Sequence, residues 1–103
     1  MIKVSVFYPA EGNPRFDMDY YLQKHIPMVK EKLGAAMKSI SVDVGLGGGA
    51  PDQPAPFLAM AHMRFESVDA FQGAFGPHAG EIMSDIPNYT DIQPLLQVSE
   101  IQG

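Results

Sequence analysis

Cysteine is absent from this 103-residue sequence. That excludes a disulfide framework, a thiolate nucleophile and a thiolate metal site. A small domain that manages without disulfides suits a reducing compartment, so a cytoplasmic location is expected. Long apolar runs are also missing. Residues Met1 to Tyr8 alternate in polarity, which does not fit a signal peptide, and nothing is long enough to span a bilayer. Basic residues are scarce, with 7 Lys and Arg against 12 Asp and Glu for a net charge of −5. No basic cluster follows a phosphate backbone, so nucleic acid is excluded as a partner.

The chain length fits one domain, residues 1–103, and 46% hydrophobic residues is a globular composition. A domain of this size buries roughly two thirds of its unfolded surface, a marginal core that a second subunit would help.

Ile2, Val4 and Val6 alternate with Lys3 and Ser5, the period of a half-buried strand that Pro9 ends. Asp17 is placed to cap a helix whose stripe is Met18, Tyr21, Leu22, His25 and Val29, with Gly34 as its stop. Pro27 lies inside that helix and predicts a kink or a loosened turn. Ile40, Val42, Val44 and Leu46 give a second strand, and Phe57 to Phe65 a third and central one. Ser67 caps a second helix carrying Val68, Phe71 and Phe75; Gly76-Pro77 breaks it before a further turn with Ile82 and Met83. Residues Ile92 to Ile101 form the last strand, with Pro94 arguing for an edge or a bulge. The order β-α-β-β-α-β is the α+β, ferredoxin-like arrangement: an antiparallel sheet with both helices on one face. Phe7, Leu58 and Met60 would then leave apolar surface on the other face, an argument for a homodimer closed sheet to sheet as a dimeric α+β barrel.

Gly45-Leu46-Gly47-Gly48-Gly49-Ala50 matches the spacing of a dinucleotide-binding turn, but prolines at 51, 54 and 56 stand where the helix should begin. It reads as an exposed connection, and no flavin or nicotinamide cofactor is expected. The three histidines, His25, His62 and His78, show no metal-ligand spacing. His25 sits on an apolar stripe four residues after Tyr21; spacing alone favours a satisfied core histidine, with acid–base work as the alternative that makes it the candidate catalytic residue. A partner for it is expected from a tyrosine, a carbonyl or water. Tyr8, Tyr21 and Tyr89, with Met60 and His62, are the candidate ligand-binding residues. Tyr20 belongs at a rim. Met28, Met60, Met63 and Met83 either make a pliable cavity for a small apolar organic ligand or, the preferred reading for most of them, fill gaps in the core.

Phe16-Asp17-Met18-Asp19-Tyr20-Tyr21-Leu22-Gln23-Lys24-His25-Ile26-Pro27 resembles the EthD signature, F-D-x-x-Y-Y-x-x-x-H-x-P. Met1 to Val6, Phe65 to Phe71 and Asp85 to Thr90 extend the resemblance over nearly the whole chain. It implies a dimeric α+β barrel and a part in bacterial breakdown of small organic compounds. The namesake is linked to ethyl tert-butyl ether degradation beside a cytochrome P450 system. On this resemblance the function expected is an oxidoreductase or monooxygenase-associated enzyme with His25 at its site. The alternatives are a cofactor-free isomerase or cyclase using His25 as acid and base, and a non-catalytic binder of a hydrophobic intermediate. A haem-handling role is weakest, for want of basic residues to hold propionates.

Overall fold

Alternation along the first strand decides which side chains are covered. In a computed structural model describing residues 1–103, β1 (Ile2–Pro9) turns Val4 and Tyr8 toward the helices, where both are buried. β2 (Ser39–Val44), β3 (Phe57–Phe65) and β4 (Leu95–Glu100) complete an antiparallel sheet in the order β2-β3-β1-β4. The β1–β3 ladder runs from Ile2↔Phe65 to Phe7↔Met60 and shifts between Tyr8 and Pro9. β4 pairs with the other side of β1, from Ile2↔Glu100 to Phe7↔Leu95.

β3 is central, as its apolar run implies, with Ala59, Ala61, Met63 and Phe65 all buried beneath the helices. Its other side is not covered: Leu58, Met60 and His62 are half-buried and Arg64 is exposed. β2 stops at Val44, and Leu46 is fully exposed in the following connection. Gly45 still donates its N–H to the Leu58 carbonyl at 2.9 Å, and it lies so close to the Phe57 carbonyl that a side chain there would clash. The Gly/Pro stretch that follows is a mostly exposed connection with no helix after it. β4 begins one residue after Pro94, whose missing N–H defers the ladder.

The first helix, α1, starts at Met18–Tyr20, widens into a π-helix over Tyr21–His25 and resumes as an α-helix over Ile26–Leu33. Asp17 caps it by accepting from the Tyr20 N–H at 3.1 Å. The loosened turn expected from Pro27 is this π-turn, in which the Ile26 N–H reaches back to the Tyr21 carbonyl. The wider turn changes the buried stripe. Leu22, expected inside, is exposed, and Ile26 takes its place beside Tyr21, His25, Val29 and Leu33.

Ser67 caps α2 (Val68–Phe75) through a 3.0 Å bond from the Ala70 N–H. A short 3-10 turn at Gly76–His78 leads into α3 (Ala79–Asp85), and a second at Ile86–Asn88 follows it. Two buried clusters form between helices and sheet. One is aliphatic, centred on Val4, Val29, Leu33, Met63, Phe65 and Ile82; the other gathers Tyr8, Tyr21, Ile26, Ala59 and Tyr89 at the opposite end. No helix is long and apolar enough to cross a membrane.

Candidate functional site

Three separate segments build the aromatic end. Tyr8 comes from the end of β1, Tyr21 and His25 from the π-turn, and Asp85 and Tyr89 from the end of α3 and the loop beyond it. The loop is tied to the start of α1: the Asp17 N–H donates to the Tyr89 carbonyl at 2.7 Å, and the Thr90 hydroxyl donates to the Arg15 carbonyl at 2.6 Å. These bonds hold Tyr89 against His25, with ring centres 4.7 Å apart. Tyr21 lies nearly parallel to the same imidazole at 5.8 Å.

His25 is 5% exposed and pairs through Nδ1 with Asp85 Oδ2 at 2.9 Å. Asp85 is held on its other oxygen by the Tyr20 hydroxyl at 2.6 Å and the Asn88 amide at 3.0 Å. Burial pushes the His25 imidazole below its ordinary value and outweighs the pull of Asp85. Burial pulls Asp85 upward, but the hydrogen bonds from Tyr20, His25 and Asn88 together bring its carboxyl below the usual range. The neutral pH state is therefore a carboxylate accepting from a neutral imidazole. The Nδ1–H donates, and Nε2 keeps its lone pair.

The imidazole lines a cavity of about 50 Å³ between α1, the sheet and α2–α3. Sixteen of the eighteen lining residues are hydrophobic, so His25 is the one ionisable imidazole in an apolar surround. Tyr8 and Tyr21 line the cavity too; their hydroxyls, with that of Tyr89, are pushed far up by burial and stay protonated. Asp85 faces elsewhere, into an open groove with Tyr20, Lys24, Glu81, Ser84 and Asn88.

Of the residues singled out from sequence, His25, Tyr8, Tyr21 and Tyr89 converge. Met60 and His62 do not join them. They alternate with the buried Ala59, Ala61 and Met63 and so point from the opposite sheet face, where His62 accepts or donates a 2.9 Å bond with Ser5. Among the methionines, Met63 and Met83 line the cavity. The partner of His25 is a carboxylate, not the tyrosine, carbonyl or water expected. Asp85 lies 60 residues along the chain, and the only signal for it is that it opens the Asp85–Thr90 stretch of the family resemblance.

The family model of the EthD domain matches residues 13–93. The chain belongs to the EthD family. An EthD-like protein from Ralstonia eutropha JMP134 is 45% identical, with a TM-score of 0.93 over 99% of this chain and 92% of that one. An EthD family protein from Bacillus halodurans C-125 shares the fold at 17% identity and a TM-score of 0.69, covering 99% of each chain. A dimeric protein of ferredoxin-like fold from Bacteroides fragilis NCTC 9343 gives a TM-score of 0.62 at 11% identity over 97% of this chain and 95% of that one. Comparison with curated proteins gave no match. Within this EthD domain the His-x-Pro of the signature stands at the π-turn, with His25 its last residue and Pro27 just beyond.

Proposed function

We propose that this EthD protein is an acid–base enzyme acting on a small, mostly apolar organic compound, with His25 moving a proton at a carbon beside a carbonyl or ring. The observation that carries this reading is the pairing of His25 Nδ1 with Asp85 in an imidazole that also lines an apolar cavity. Asp85 fixes the tautomer; Tyr20 and Asn88 fix Asp85. The oxidoreductase reading draws on the family resemblance alone, and the geometry adds nothing to it. A single domain over residues 1–103 and a homodimer formed through the open sheet face belong to the same proposal. The dimeric relative of like fold supports the second.

The test is proton exchange. A panel of small carbon acids, chiefly ketones and lactones, is followed by NMR in deuterated buffer. The wild-type chain should speed exchange at the carbon beside the carbonyl, and His25→Asn should lower that rate by about 100-fold or more with folding intact. Equal exchange by wild type and His25→Asn for every accelerated compound would overturn the assignment and leave the cavity as a binding site.

A further inference from the structure

Two tyrosines, Tyr8 and Tyr21, line the cavity, and Tyr8 is bonded to a third, Tyr89. Tyr8 Oη and Tyr89 Oη share one hydrogen bond of 2.7 Å, which uses one proton of the two they carry. Tyr21 Oη is buried, and no protein atom accepts from it or donates to it. The residue itself is 1% exposed. Of the phenols that line the cavity, Tyr21 therefore carries a proton with no acceptor. An unsatisfied buried hydroxyl costs stability, so its retention calls for a reason.

No carboxylate is free to take the Tyr21 proton. The carboxylate nearest the site is Asp85, and it is taken up by Tyr20, His25 and Asn88. Beyond Tyr8, Tyr21 and His25 the cavity is walled by aliphatic and aromatic side chains, among them Met63, Phe71, Phe75 and Met83. Burial keeps all three phenols protonated, hence donors.

We infer that the Tyr21 hydroxyl, beside Tyr8, is the binding site for a carbonyl oxygen, so that the ligand class is a small ketone, aldehyde or ester with an apolar body. A carbonyl oxygen offers a lone pair to the Tyr21 hydroxyl, and its hydrocarbon part suits the remaining walls. A donor to that oxygen also favours the negative charge that would grow there if a neighbouring carbon lost a proton. The cavity as it stands admits little more than the functional group, about 10–15 Å³ being needed for one water. Met83, exposed at its edge, and Met63 are unbranched and can move to admit the body. The inference rests on the cavity being a ligand site; it does not require His25 to be a base.

The experiment compares cyclohexanone with methylenecyclohexane, which has the same shape but no acceptor, by NMR titration of the wild-type protein, Tyr21→Phe and His25→Asn. Tyr21→Phe removes an unpaired hydroxyl and should fold at least as well as wild type. The ketone should bind wild type about tenfold more tightly than the alkene, one buried hydrogen bond's worth. Tyr21→Phe should erase most of that preference and leave the alkene unchanged. His25→Asn should keep it, even if exchange activity is gone. Equal affinities in wild type, an unchanged preference in Tyr21→Phe, or no binding of either compound would each overturn the inference.

Discussion

At the scale of single residues, the His25–Asp85 pair links protonation to stability. The His25 folded-state value is lowered from 6.5, so the unfolded chain binds the proton more readily. Stability from this group is complete above the unfolded value near ~6.5 and is lost as pH falls toward the lowered folded value. Asp85 works in the same direction further down: its contribution is present above ~3.9 and disappears as pH drops through its depressed folded value. Thermal melts from about pH 8 to about pH 5 should show a falling midpoint, and the fall should shrink in His25→Asn. A parallel fall in both proteins would assign the effect to other groups. The sequence located His25 and its tyrosines because helical spacing and strand ends place them without reference to distant chain. It did not locate Asp85, since nothing local links positions 60 apart. Met60 and His62 misled for a different reason: β3 is apolar at nearly every position, so its alternation does not announce which side the helices cover.

At the scale of elements, the π-turn is the feature that sets the site. A π-turn holds one residue more than the α-helix it interrupts, so the helical faces before and after it keep their phase. Its wide hydrogen bond also leads directly into Pro27, whose ring would clash with the carbonyl four residues earlier in a regular helix. The two features should therefore be coupled. Deleting the exposed Gln23 would restore α-helical spacing and press Pro27 against a carbonyl, at a cost of about 3 kcal/mol. Pro27→Ala should recover most of that loss in the deletion background and change the full-length chain far less. Denaturant unfolding of the four proteins measures the coupling; additive effects would show that the turn and the proline are independent. Proline inside an apolar stripe made a loosened turn legible from sequence. Which residues the loosening would turn inward was not, because α-helical periodicity was the only ruler, and it placed Leu22 inside where the structure places Ile26.

At the scale of the molecule, the domain is a slab. Its extents are 41 × 34 × 19 Å, and the shortest is the depth of one sheet and one helical layer, each about 10 Å. The uncovered face carries Phe7 against Met60 on one side and Leu95 on the other, with Ser5, His62, Asp43 and Arg64 further along. Leu95 is 55% exposed in the single chain. If a second copy covers this face, Leu95→Glu should leave the monomer fold intact, because the side chain already meets water, while lowering the mass in solution from two chains to one. Light scattering with circular dichroism reads both. A wild-type protein that is monomeric at micromolar concentration would remove the dimer. Topology was the most legible level of all: six alternating segments with clear breakers leave few ways to pair four strands.

The imidazole of His25 has a different neighbourhood on each edge: an apolar cavity on one and, through Asp85, an open polar groove of about 420 Å³ on the other. It is a partition wall between two rooms with separate doors. Met83 and Leu96, both partly exposed, stand at the cavity's outer edge, whereas the carboxylate on the other side is held by Tyr20 at the groove. A guest filling the cavity would then touch one side of the ring and leave Asp85, on the other, still facing the groove.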